Sequence, residues 1–264
     1  MRSYSRSGPP RQLGAAPGFN EVRNFFNFRG VKIGGWVKPH EQQLRARDFF
    51  IALLDLQEIL QVPPTVISLR GQLSLHYGTG GQPGVCAHYM PAARVLALAK
   101  NAGAGSLAHE WFHAFDHYIA EHLFTADTGG RFASIAWLTD FELRPHPLCQ
   151  SLAQCFRAVL LNSAGDGPSA LVERAIAHDR KEGGLYWSKP EEVCARAFES
   201  FIEDAPIANQ FLAHGTRHSS AGFDPYPRGE QRQQINLAFS HYFRSLGRSL
   251  GQSPSGSLSG SVIR

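Results

Sequence analysis

Apolar residues recur at helical spacing through much of this chain, and short apolar runs separate two of the helical stretches. Residues 41–60 form an amphipathic helix, with Leu44, Ile51, Leu54 and Leu60 among its apolar positions and Pro63-Pro64 as its stop. Runs at 66–69, 73–77, 85–89 and 95–98 predict strands, with a glycine-rich turn at 78–81. A loose turn at 101–105 follows, and Ser106 is placed to cap the next helix. In that helix Leu107, Trp111, Phe112, Phe115, Tyr118, Ile119 and Leu123 recur at helical intervals. Residues 125–146 show no period and predict a surface loop; helices follow at 148–162, 168–181, 190–204 and 229–246. The aromatic, glycine-rich stretch 25–37 predicts a strand-turn segment packed on the core. Strands early and helices late indicate an α+β fold, a small mixed sheet followed by a mainly helical C-terminal half.

Composition sets the frame. The 264 residues suit one large domain with tails, and 43% apolar residues are enough for a sizeable core. The Ser, Gly, Pro and Arg content of residues 1–18 and the Ser/Gly content of 247–264 predict disordered tails around a domain at 19–246. Net charge is +4, carried largely by arginines near both ends; with no long basic run, charge does not argue for nucleic acid as a partner. No apolar stretch approaches a membrane span, and no apolar segment follows Arg2 and Arg6 as in a secretory signal. Cys86, Cys149, Cys155 and Cys194 match no zinc-binding pair spacing, and are expected to be reduced, mostly buried thiols in a cytoplasmic protein.

The chemistry concentrates at His109-Glu110-Trp111-Phe112-His113, an H-E-x-x-H motif on the helix that Ser106 opens. Positions four apart share a helix face, so both imidazoles can reach one metal ion, and Glu110 then stands where it can act on a water. Asp116, one turn on, could orient a ligand, cap backbone groups or be a surface carboxylate. His117 and His122 are expected to face solvent.

A catalytic zinc site takes three protein ligands and leaves a position for water. The segment 186–199, with Pro190 suited to a helix first turn and an acidic pair behind it, is the source expected for the third. Glu192, Arg196 and Glu199 share a face there. One glutamate can be the ligand and another can hold a ligand histidine by its free ring nitrogen. The alternative is a solvated salt-bridge face.

HEWFHAFDHY (109–118) and EEVCARAFE (191–199) together resemble the gluzincin metallopeptidases, among them the catalytic domain of the anthrax lethal factor type. That resemblance selects Glu192 over Glu191 and Glu199 as the third ligand. It also makes Tyr186, one residue nearer than the family spacing, the equivalent of a tyrosine that assists at the substrate carbonyl. Wider stretches, NFRGVKIGGWV (27–37), 53–69, 87–118, 186–204 and PYPRGEQRQQINLAF (225–239), are similar to the large polyvalent protein-associated domain 1 family of phage and mobile-element proteins. Stand-alone members of that family carry the label CLCA_X. The resemblance implies a zincin-like fold, Zn2+ held by His109, His113 and Glu192, Glu110 as general base and Tyr186 as hydrogen-bond donor.

Two functions are compatible with these residues. One is a zinc-dependent endopeptidase acting on a protein or peptide substrate. The other is a non-catalytic zincin-fold binding module of a phage or mobile-element system. Glu110 favours the enzyme, because a structural site does not need a carboxylate beside its first ligand. The strand at 85–89 or at 95–98 is a candidate edge rail for an extended substrate. Residues 125–146 and 214–228 are the expected borders of the cleft.

Overall fold

The computed structural model describes residues 4–13, 16–80, 87–100, 105–218 and 222–251. Contacts gather the chain into two units, one of 1–107, 205–214 and 243–264, the other of 108–204 and 215–242.

The first unit contains the sheet. Its strands are β1 (Gly30–Ile33), β2 (Ser74–Tyr77), β3 (Ala87–Met90) and β4 (Val95–Leu98), in the order β1-β2-β4-β3. β1 and β2 run parallel, as do β2 and β4, while β3 is antiparallel to β4. The fold is therefore α+β with a small mixed sheet, and helices dominate the C-terminal half. β4 is buried at every position, as expected of a central strand with apolar residues throughout. It lies between β2 and β3, so of the two candidate rails only β3 is an edge of this sheet. Residues 85 and 86 of that expected strand, and residue 81 of the expected turn, lie outside the described residues.

Three expectations for this unit change. First, the stretch at 25–37 begins within a helix, α1 (Phe19–Phe26), which Asn27 closes in the left-handed conformation before β1. The aromatics serve helix packing: Phe26 lies 5.7 Å from Phe50, and Phe19 stacks on Tyr77 at 5.8 Å. Second, 66–69 is not a strand. Pro64 fixes the first turn of a short helix, α3 (Pro64–Ile67), and positive φ at Leu69 and Arg70 turns the chain back towards β2. Third, Leu44 faces solvent on α2 (Pro39–Leu60); Phe49, Phe50, Leu53 and Leu56 form its buried side.

The N-terminal segment takes part in this unit. Asp55 on α2 is fully buried and accepts from Arg6, Arg11 and Asn209 at 2.6 to 3.0 Å. Buried carboxylates need such partners, and here two guanidinium groups supply them.

The second unit is helical. It holds most of α4 (Ser106–Leu123), then α5 (Ala133–Leu138), α6 (Pro147–Leu160), α7 (Ala170–Glu182), α8 (Pro190–Glu203) and the first part of α9 (Gly229–Ser249). Ser106 is the first residue of α4, and its hydroxyl is buried without a hydrogen-bond partner among the described residues, so it does not cap the helix as expected. Residues 101–104 of the turn before it lie outside the described residues. Aromatic rings join α4 to α8 and α9: Phe112 and Phe198 at 4.9 Å, Phe198 and Phe239 at 5.5 Å, Phe112 and Phe239 at 5.7 Å. Cys149, Cys155 and Cys194 are buried free thiols; Cys86 lies outside the described residues. No helix among the described residues is long and apolar enough to cross a membrane.

α9 runs past the expected stop at 246 to Ser249, and Gly247 within it is a packing residue of the first unit. A Cβ there would stand 1.9 Å from the Gln61 carbonyl oxygen. Gly247→Ala is therefore expected to destabilise the chain by about 1–3 kcal/mol through overpacking, although Ala in an open helix position gains roughly 1 kcal/mol over Gly. A lower urea midpoint at unchanged slope would show it, and a higher midpoint would refute the close approach. Residues 252–264 lie outside the described residues.

Candidate metal centre

α4 presents His109 and His113 one turn apart, and their Nε2 atoms converge to 3.1 Å. α8 meets them. Lys189 precedes Pro190 at its first position, and Glu191 and Glu192 fall in its first turn. Glu192 spans both imidazoles, with Oε2 3.5 Å from Nε2 of His109 and Oε1 3.4 Å from Nε2 of His113. These three side chains form a group that could hold a metal ion.

Glu199, two turns along α8, takes a different position. Its Oε2 lies 3.6 Å from Nδ1 of His109, on the far side of the ring from Glu192. It also accepts the Tyr226 hydroxyl at 3.2 Å. The two glutamates thus divide the roles that the helix face left open: Glu192 faces the nitrogens that point at each other, and Glu199 backs one of the rings. Arg196, between them, is 4% exposed and Glu199 is 6% exposed, so the solvated salt-bridge alternative does not hold.

The charges explain one another. Burial alone would lower the His109 imidazole, but hydrogen bonding to Glu192 and Glu199 overrides it and raises the group to about 9. Burial would raise Glu192, yet the two histidines pull it well below the usual carboxylate range.

Arg196 fastens α8 to the segment before it. It donates to Glu192 Oε2 at 3.2 Å and to the Trp187 carbonyl at 2.5 Å, and lies 4.9 Å over the Trp187 ring. Tyr186, half-exposed, sits in this segment. Burial, then the charge of Glu192 and a hydrogen bond to it, push its hydroxyl up to about 12, so at neutral pH it is a donor. Glu110 follows His109 on α4, and its charge contributes to raising both His109 and Tyr186.

Asp179 on α7 shapes the segment. Its Oδ1 accepts the backbone N–H of Tyr186 (3.2 Å) and Trp187 (3.0 Å), and its Oδ2 accepts the N–H and hydroxyl of Ser188 (2.7 and 2.6 Å). Burial opposes the charge, but these donors win and lower the carboxyl to about 2.

Asp116 is fully buried, not a surface carboxylate. It accepts the Ser134 N–H (2.9 Å) and hydroxyl (2.6 Å), and so caps the first turn of α5 from a distance. Burial pushes it up to about 7 against those bonds. α5 is the element missed in the supposed loop at 125–146. The residue before it, Phe132, packs against His113 at 5.8 Å and against His117 at 5.5 Å. His117 is therefore buried, contrary to expectation, whereas His122 is exposed.

Of the residues singled out from sequence, His109, Glu110, His113, Tyr186 and Glu192 share this one unit, and His109, His113 and Glu192 converge on one point. Asp179, Ser134 and Tyr226 were missed. Spacing holds no sign of them, because each acts on a residue distant along the chain.

Residues 178–250 match the family model of large polyvalent protein-associated domain 1. The matched part carries Tyr186, Glu192, Glu199 and Tyr226; the motif helix α4 lies outside it. No curated protein and no solved structure matches the chain.

Proposed function

We propose that this chain is a zinc-dependent peptidase of the gluzincin type, with His109, His113 and Glu192 as ligands. The observation that carries the reading is the triangle of donor atoms. A tetrahedral zinc with bonds of about 2.0–2.1 Å needs donors roughly 3.3 Å from one another. The two Nε2 atoms stand 3.1 Å apart, each lies 3.4 to 3.5 Å from one of the two Glu192 oxygens, and one donor atom from each residue falls within 4.8 Å of the others, so a small closing movement brings them to that spacing. Two imidazoles and one carboxylate are also a donor set that zinc prefers and that leaves a position open.

Zinc bound there would supply Lewis acidity to a water and to a substrate carbonyl. The rest is work for the chain's own residues. Glu110 accepts a proton from the attacking water as its oxygen bonds to the carbonyl carbon, and delivers that proton to the amine as the C–N bond breaks. Tyr186 donates its O–H to the carbonyl oxygen as charge develops on it. Asp179 and Arg196 keep the Tyr186 segment in place. Glu199 holds His109 with its Nδ1 protonated, so that Nε2 offers its lone pair.

The test is zinc content and cleavage of a mixed peptide library, read by mass spectrometry, for wild type, His113→Ala and Glu110→Gln. Near-stoichiometric zinc in wild type and Glu110→Gln, with cleavage only in wild type, is the expected result. A drop in turnover of at least about 100-fold is expected for Glu110→Gln, the scale of general-base catalysis. Zinc uptake with equal cleavage, or none, in wild type and Glu110→Gln would end the peptidase reading and leave a zinc-bearing binding module.

A further inference from the structure

We propose that Tyr226 is a positioning residue of the metal centre: its hydroxyl holds the Glu199 carboxylate against Nδ1 of His109 and so sets how tightly the site binds a divalent cation. This rests on the metal-centre reading above and extends it outward by two residues.

The chain of contacts is continuous. The Tyr226 hydroxyl donates to Glu199 Oε2 at 3.2 Å, and the same oxygen lies 3.6 Å from Nδ1 of His109. Glu199 is buried, so an oxygen without a donor there would be free to turn away towards any other partner. Tyr226 itself is clamped through its backbone. Arg174 on α7 donates to the Tyr226 carbonyl at 2.9 Å, and Asp224 accepts the Tyr226 N–H at 3.2 Å. Asp224 is in turn gripped by both ends of the Arg228 guanidinium, which also donates to the Thr216 carbonyl at 2.6 Å. A hydroxyl held this way is a fixed donor, and a fixed donor fixes the carboxylate it serves.

The two histidines differ in this respect. Nδ1 of His113 is buried with no hydrogen-bond partner among the described residues. Among the described residues, a carboxylate stands within ion-pair range of Nδ1 at His109 and not at His113. Orientation of the ligand pair therefore depends on the His109 side, and on the tyrosine that stands behind it.

The experiment uses the full chain stripped of metal, titrated with Zn2+ against a chromophoric chelator, for wild type, Tyr226→Phe, Glu199→Gln and the double variant. Tyr226→Phe is expected to weaken zinc binding about 10-fold, the lower end of what loss of an outer partner brings. The melting temperature of the metal-free protein should fall modestly, because the buried Glu199 loses a donor, and the visible bands of the Co2+-loaded protein should shift. Because the two residues act in series, the double variant should bind no more weakly than Glu199→Gln alone. Unchanged affinity and Co2+ spectrum in Tyr226→Phe, or effects that simply add, would overturn the proposal while the metal centre stands. A folded wild type that takes up no cation would remove the metal centre and the role of Tyr226 together. If Tyr226→Phe fails to fold, Glu199→Gln decides alone: wild-type affinity in it would equally overturn the relay.

Discussion

Glu192→Ala is expected to abolish zinc binding and also to lower the stability of the metal-free protein; Glu192→Gln should lose the metal as well but destabilise the metal-free protein less. The distinction follows from the two tasks of this side chain. One is towards the imidazoles, at 3.4 and 3.5 Å; the other is towards Arg196, at 3.2 Å. Truncation leaves a buried guanidinium with a single remaining acceptor, the Trp187 carbonyl. Loss of one partner from a buried pair costs about 3–5 kcal/mol. Here the retained bond should hold the loss near the lower figure. The glutamine keeps an oxygen for Arg196 but no charge for the cation. Both variants should weaken zinc by more than about 100-fold, since even an outer partner is worth 10–100-fold. Calorimetric melting with and without a chelator reads both effects. Retained zinc in Glu192→Ala would mean that a different carboxylate is the third ligand.

Asp179→Ala should be the most damaging substitution outside the ligand set. Three backbone N–H groups and one hydroxyl lose their acceptor at once, in a segment whose only other fastening described above is Arg196. Unsatisfied buried donors cost about 1–3 kcal/mol each, less where water can reach them. A net loss of about 2–4 kcal/mol is expected. The pH dependence has a definite sign. The folded carboxyl sits near 2, below its ordinary value of 3.8, so its contribution is fully present above the ordinary value and is lost as pH falls through 2. Wild type should therefore lose stability between about pH 4 and pH 2 by more than Asp179→Ala does. Denaturant midpoints at pH 6 and pH 3 compare the two; parallel curves would show that folding does not lower the Asp179 pKa. Tyr186 should also lose its position, so peptide cleavage should fall in this variant even where it is folded.

The long helices were legible because their cues are local. Pro190 with the acids behind it marked α8, and the 111–118 aromatics marked α4, within a residue or two of where they begin and end. A four-residue spacing on a helix is geometry that needs nothing from the rest of the fold, so the convergence of His109 and His113 could be read directly. α5 could not. Its six residues are too few to show a period, and its first turn is capped by Asp116, a carboxylate from another helix. The mostly apolar run at 66–69 misled for a related reason: three apolar residues among four suit a strand or a buried helical turn equally, and the backbone reversal at Leu69 and Arg70 chose the turn.

By itself, then, the sequence determined the fold class, the helix that carries both histidines and the helix that carries the glutamates, because periodicity and helix punctuation act over a few residues. Only the tertiary structure decided which glutamate faces both imidazoles and which backs one ring, that Arg196 is buried between them, and that Asp179 and Tyr226 brace the site. Those assignments depend on how α4, α7, α8 and the segment before α9 pack within one unit. Their physical content is desolvation and hydrogen bonding between groups far apart in the chain, which no spacing along it encodes.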